Sequence, residues 1–115
     1  MGVEIVTGKK LGRDITLSGL KTDGYEAVFL GIGAQEAVHL GIPGDKSAGV
    51  VDALAFLREY NMRGSVSVGK QVIVVGGGNA AIDAARTAIR LGAKKVSVIY
   101  RRTREEMPAY AEEIK

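Results

Sequence analysis

Apolar and polar positions change period along the chain, and the change is sharpest between residues 71 and 100. Gln71–Val75 is a short run rich in β-branched residues, with the length and content of a buried parallel strand. It runs into Gly76-Gly77-Gly78 and then into an alanine-rich segment. There Ile82, Ala85 and Ile89 fall on one helical stripe, while Asp83, Arg86 and Arg90 lie nearer the outside. Asn79 is the expected N-cap of this helix and Gly92 its expected C′ residue. A second strand is expected over Lys95–Tyr100, with Val96, Val98 and Tyr100 alternating around Ser97 and Ile99. Val72 to Tyr100 spans 29 residues, close to the ~30 of one β-α-β unit.

Upstream, Val3–Thr7 predicts a short strand and Lys9–Asp14 a basic turn, while Ile15–Leu20 fits no single pattern. Asp23-Gly24 predicts a turn. Tyr25–Ile32 predicts a buried strand centred on Ala27-Val28-Phe29-Leu30 and leaving through Gly31-Ile32-Gly33-Ala34. Ile42-Pro43-Gly44-Asp45 predicts a turn inside the connection Gln35–Gly49. An amphipathic helix is expected near Val50–Tyr60, with Val50, Leu54 and Leu57 as its apolar stripe and Asn61 and Gly64 as its stop. The stretch 104–115 predicts a helix beginning after Pro108. Strands that alternate with helices make the fold class α/β, a Rossmann-like three-layer parallel sheet.

The glycine turn carries the candidate chemistry. Gly76, Gly78 and Ala81 fit the G-x-G-x-x-G/A spacing of a dinucleotide-binding turn. The first glycine lets the chain turn off the strand, the second lets a pyrophosphate approach the backbone, and the small third residue lets the helix pack closely. The helix then directs its free N–H groups and positive dipole end at the phosphates. Gly76, Gly77, Gly78, Asn79, Ala80 and Ala81 are therefore the candidate pyrophosphate residues. A tight turn without a ligand is the competing reading.

The end of the second strand bears on which nucleotide. An NAD site places a carboxylate there for the ribose 2′-hydroxyl. This chain reads Tyr100-Arg101-Arg102-Thr103-Arg104, with no acid before Glu105 and with Arg101 23 residues after Gly78. A guanidinium forks onto a 2′-phosphate that a carboxylate would repel. Arg101 and Arg102, with Thr103 as an added hydroxyl, therefore favour NADP(H), against the alternative of a solvated basic surface.

Composition narrows the picture further. The chain of 115 residues is 46% hydrophobic and 25% charged, ordinary for one small globular domain. It has no apolar run near the ~18 residues of a membrane span and no secretory leader pattern at its start, so a cytoplasmic setting is expected. It has no cysteine, which excludes disulfides and thiolate-held clusters within this segment. His39, the single histidine, has no second ligand nearby in sequence, and neither a metal site nor a nucleophile–base pair is visible. The net charge is +3, and Lys94, Lys95, Arg101, Arg102 and Arg104 form a local basic patch. With few aromatics and a phosphate-type turn beside it, a cofactor phosphate explains that patch more economically than nucleic acid.

The runs Val74-Val75-Gly76-Gly77-Gly78-Asn79-Ala80-Ala81-Ile82-Asp83-Ala84-Ala85-Arg86 and Tyr100-Arg101-Arg102-Thr103-Arg104-Glu105-Glu106-Met107-Pro108-Ala109 resemble the glutamate synthase small (β) subunit family. Tyr25–Leu30, Gly33-Ala34, Gly41–Gly44 and Val51–Leu57 fit the same family in the same order. The resemblance implies a two-dinucleotide-domain flavoprotein that oxidises NADPH and passes hydride to FAD, with electrons continuing through iron–sulfur clusters to a large catalytic partner subunit. It implies that Gly76, Gly78, Asn79 and Ala81 line the pyrophosphate, that Arg101 and Arg102 take the 2′-phosphate, and that Gly33 and Ala34 lie near the flavin. Residues 1–45 would then be a remnant of the FAD domain and its crossover, and 46–115 the first half of the NADP(H) domain. The family commonly has Ala-Thr-Gly-Ala where this chain has Gly31-Ile32-Gly33-Ala34, so a flavin contact at residue 32 is not carried over. Because the family's flanking motifs are missing, the resemblance leads to the expectation of an internal, truncated fragment, inactive alone and, with uncovered sheet edges, forming homo-oligomers. The rival reading is a stand-alone nucleotide-binding regulatory module without redox activity.

Overall fold

The computed structural model describes residues 2–33, 36 and 38–114. The chain divides into two compact units, Met1–Gly33 and Ala34–Lys115.

The first unit holds one short helix, α1 (Leu17–Thr22), whose N-cap Thr16 accepts the Gly19 N–H at 3.0 Å. Before it, residues 10–15 form the expected turn. Asp14 accepts the Lys10 N–H at 2.9 Å and pairs with Arg13 at 2.8 Å, and Leu11 bridges to Ile15. The two strands expected in this unit do not form. Val3–Thr7 and Tyr25–Ile32 take part in no β-ladder, and Phe29, the expected core residue, is 96% exposed. An apolar run supplies a strand's surface, but the ladder comes from a neighbour's N–H and C=O groups. Neither segment is paired with a strand among the described residues.

The second unit carries the β-α-β structure. The Ile42–Asp45 turn forms as expected, with the Asp45 N–H on the Ile42 carbonyl at 3.2 Å. The helix α2 (Ala53–Arg63) starts later than Val50: Asp52 is its N-cap, accepting the Ala55 N–H at 2.8 Å, and Gly64 ends it. Val50 lies outside the helix and is exposed. The strand β1 (Gln71–Val75), the helix α3 (Asn79–Arg90) and the strand β2 (Lys95–Ile99) follow in the expected order. β1 and β2 pair in parallel, Gln71 opposite Lys95 through Val75 opposite Ile99.

The core is the packing of α3 on this sheet. Ala81, Ile82, Ala84, Ala85, Thr87 and Ala88 are buried, while Asp83, Arg86 and Arg90 face out as expected. Ile89, expected on the inner stripe, is instead exposed, because the small residues Ala81, Ala84 and Ala88 set the contact line. Small side chains bring the helix close to the strands. Gly92, at φ +92, ends α3 in a Schellman motif: its N–H reaches the Ile89 carbonyl at 2.9 Å, and the Ala93 N–H reaches Ala88 at 3.1 Å.

The strands are not buried on both faces. Ile73, Val75 and Ile99 are exposed, so the described residues of this unit show helix on one face of a two-stranded sheet rather than three layers. The C-terminal helix expected after Pro108 is also absent: a 3-10 turn, Arg104–Glu106, precedes the proline, and 107–114 is irregular. Side-chain and backbone bonds to distant residues hold this segment. Among the described residues, no helix is long and apolar enough to cross a membrane, and no group of His, Asp and Glu is gathered to hold a metal ion.

Candidate functional site

The parallel register brings the glycine turn and the arginine run to one rim. Val75 lies opposite Ile99, and the Gly76 N–H continues the ladder to the Ile99 carbonyl at 2.9 Å. The two chains therefore leave the sheet side by side, one into Gly76–Gly78 and the other into Tyr100–Arg102.

The three glycines of the turn differ in their surroundings. Gly76 has φ +137, a conformation that side chains disfavour, and a Cβ there would press on the Ala81 Cβ at 3.3 Å. Gly77 is buried, and a Cβ there would lie 2.7 Å from the Tyr100 ring. Gly78 is different. Its backbone, φ −86 and ψ 172, suits any residue, and a Cβ would meet nothing within 4 Å. Neither packing nor backbone conformation among the described residues accounts for the glycine at 78.

Gly78, not Asn79, is the N-cap of α3. Its carbonyl accepts the Ala81 and Ile82 N–H groups at 3.0 and 3.2 Å. The N–H groups of Asn79 and Ala80, at the start of the helix, have no acceptor within it. That geometry fits the pyrophosphate of a dinucleotide. Asn79 is the first helical residue, and its side-chain oxygen accepts the N–H of Tyr110 at 3.1 Å.

Arg101 and Arg102 are exposed and make no hydrogen bond or ion pair among the described residues. Arg104, two residues on, donates to the Ile114 carbonyl at 2.8 Å. The same run of cations thus holds two uncommitted guanidiniums and one with a structural partner. Arg102 borders a shallow cleft of about 360 Å³ with Ile82, Val98, Tyr100, Arg104 and Met107. The Thr103 hydroxyl is committed: it and the Thr103 N–H both donate to Glu106 Oε2, at 3.2 and 3.1 Å. The Glu105 carboxyl is held below the usual carboxylate range, chiefly by its own backbone N–H. It stays ionised at neutral pH.

Gly33 is exposed in an irregular segment at φ +68. Ala34 lies outside the described residues. Sequence reasoning missed the part played by residues 103–110. Ala109 is buried and donates its N–H to the Gly77 carbonyl at 3.1 Å, so the Met107-Pro108-Ala109 run folds back on the turn. The signal was present in the small residue after Pro108, but its partner lies 32 positions away in sequence.

The family described as pyridine nucleotide-disulphide oxidoreductase matches residues 1–115. The chain is 42% identical over its full length to the NADP(+)-dependent formate dehydrogenase subunit beta of Moorella thermoacetica, covering 16% of that protein. It is 44% identical to the NADPH-Fe(3+) oxidoreductase subunit beta of Geobacter sulfurreducens, over 95% of this chain and 16% of the relative. It is 40% identical over its full length to the glutamate synthase [NADPH] small chain of Escherichia coli, covering 26% of it. The chain therefore spans between a sixth and about a quarter of these relatives, and all three are subunits of NADPH- or NADP(+)-dependent oxidoreductases. A match that runs the full length of the sequence, on a β-α-β unit with this glycine turn, means that the chain belongs to the pyridine nucleotide-disulphide oxidoreductase family.

Proposed function

We propose that this chain is the nucleotide-binding segment of an NADPH-dependent, FAD-containing oxidoreductase of the glutamate synthase small-subunit type. The observation that carries the reading is the pairing of an open Gly78 with two uncommitted guanidiniums, Arg101 and Arg102, at one rim of the sheet. The N–H groups of Asn79 and Ala80 receive the pyrophosphate, Ala81 keeps the helix end close to the strand, and Gly76 and Gly77 shape the turn. Arg101 and Arg102 take the 2′-phosphate. Thr103 shapes the following turn rather than meeting phosphate, since Glu106 engages its hydroxyl.

The nicotinamide supplies hydride to a flavin held elsewhere in the longer protein, for onward electron transfer. Residues 1–45 belong to the FAD domain and its crossover, with Gly33 and Ala34 near the flavin, and 46–115 form the first half of the NADP(H) domain. The remaining strands and the third layer come from the rest of that protein. Its partner is a large catalytic or iron–sulfur subunit, in keeping with relatives named small chains and beta subunits. The setting is cytoplasmic. Alone, the chain binds nucleotide without turnover.

Calorimetric titration tests this reading. NADPH binds more tightly than NADH, and Arg101→Ala/Arg102→Ala removes the preference, each lost charged hydrogen bond costing about 1.5–3 kcal/mol. Arg104→Ala, whose guanidinium serves Ile114, leaves the preference in place. Equal affinities for the two nucleotides in the unmutated chain would refute the arginine assignment.

A further inference from the structure

Residues 100–110 form a strap closed onto the glycine turn at both ends. At its start the Tyr100 ring lies against Gly77, and the Tyr100 hydroxyl donates to the Glu106 carbonyl at 3.1 Å. At its end the Ala109 N–H donates to the Gly77 carbonyl and the Tyr110 N–H to Asn79 Oδ1, both at 3.1 Å. Between these fixings lie Arg101 and Arg102. The Thr103–Glu106 turn takes up the slack within the strap, with the Glu106 N–H on the Thr103 carbonyl at 3.2 Å.

Asn79 is the one side chain of the turn that reaches across to the strap. Its Oδ1 accepts the Tyr110 N–H there and so ties the side chain to the strap, while its Nδ2 donors remain the part that a direct phosphate contact would use. We propose that Asn79 is a positioning residue. By holding the Tyr110 N–H it keeps the strap closed, and so it sets the distance between the pyrophosphate N–H groups and the Arg101–Arg102 pair. This rests on the nucleotide reading above. Releasing one end of a short closed segment returns conformational freedom to everything between its fixings. The arginines then lose their preset position, although their charge is untouched.

The proposal separates from a direct phosphate contact by specificity. Pyrophosphate is common to NADPH and NADH, whereas only NADPH carries the 2′-phosphate. Asn79→Ala therefore weakens NADPH about three- to tenfold more than NADH, the scale of one hydrogen bond. Tyr110→Pro, which deletes the donor and leaves Asn79 intact, produces the same selective loss, and the double variant loses no more than either single one. Equal weakening of both nucleotides by Asn79→Ala, or losses that multiply in the double variant, would overturn the proposal.

A second measurement needs no nucleotide. Trypsin cuts after Arg101 and Arg102 faster in Asn79→Ala and Tyr110→Pro than in the unmutated chain, and Asn79→Asp, which keeps an acceptor oxygen, restores protection. Unchanged cleavage rates would sink the tether. Failure of the unmutated chain to prefer NADPH, with the cleavage pattern as expected, would instead defeat the nucleotide reading and leave the tether standing.

Discussion

The ring of Tyr100 occupies the space that a side chain on Gly77 would need: a Cβ there would lie 2.7 Å from Cδ2 and 2.8 Å from Cε2 of the ring. The ring cannot simply withdraw, because its hydroxyl is bonded to the Glu106 carbonyl. Gly77→Ala is therefore expected to destabilise the second unit by about 1–3 kcal/mol, the usual cost of overpacking. The urea midpoint should fall with little change in slope. In a double-mutant cycle with Tyr100→Leu, the two substitutions should offset each other, since the shorter side chain makes room.

Gly78→Ala should behave in the opposite way. Its backbone conformation is ordinary and the added methyl group meets nothing. The expected change in stability is within about 0.5 kcal/mol. The methyl group does intrude on the approach to the helix end, so calorimetry should show weakened binding of NADPH and NADH alike. A large loss of stability, or unchanged affinity, would contradict this division of labour between the two glycines.

Acid should loosen the turn at residues 10–15. The Arg13 side chain, and after it the Lys10 N–H, hold the Asp14 carboxyl below the usual carboxylate range. A carboxylate with a lowered folded-state pKa stabilises fully above its unfolded value, and that support is lost as pH falls through the folded one. The Lys10 amide resonance should therefore move on acidification with a midpoint below that of a free aspartate. Asp14→Asn should abolish the transition. A midpoint at or above the free value would show that the pairing does not hold in solution.

The sheet of the second unit has two strands, both its edges are open among the described residues, and Ile73, Val75 and Ile99 are exposed on it. Open edges pair with other chains. Light scattering behind a sizing column should report a mass that rises with concentration, and Ile73→Lys should lower it. A monomer at every concentration would refute self-association.

The parts of the molecule that read correctly from sequence are those fixed by neighbours along the chain. β1, α3 and β2 follow from a β-branched run, a three-glycine turn, a stripe of small residues and Gly92, all local signals. The same local reasoning misplaced the cap by one residue, because Asn79 has a cap-like side chain that is drawn instead to Tyr110, 31 positions away. Tyr25–Ile32 has the content of a strand and no ladder to join among the described residues. The strap was illegible for a related reason: Ala109 and Tyr110 are placed by Gly77 and Asn79, and no periodicity within 103–110 encodes those partners. In the site, the arginine pair was readable as charge. That Arg104 serves Ile114 while Arg101 and Arg102 stay uncommitted was visible only in three dimensions.

In-register parallel pairing makes strand length and crossover length unequal in what they tolerate. An extra complete turn in α3 would carry the chain further before it came back, and both exits would stay where they are. One residue added inside Lys95–Ile99 would reverse the facing of all that follows, turning the Tyr100 ring away from Gly77 and moving both guanidiniums to the wrong side. Variation in length can therefore accumulate in the helix, while five residues per strand is a fixed measure.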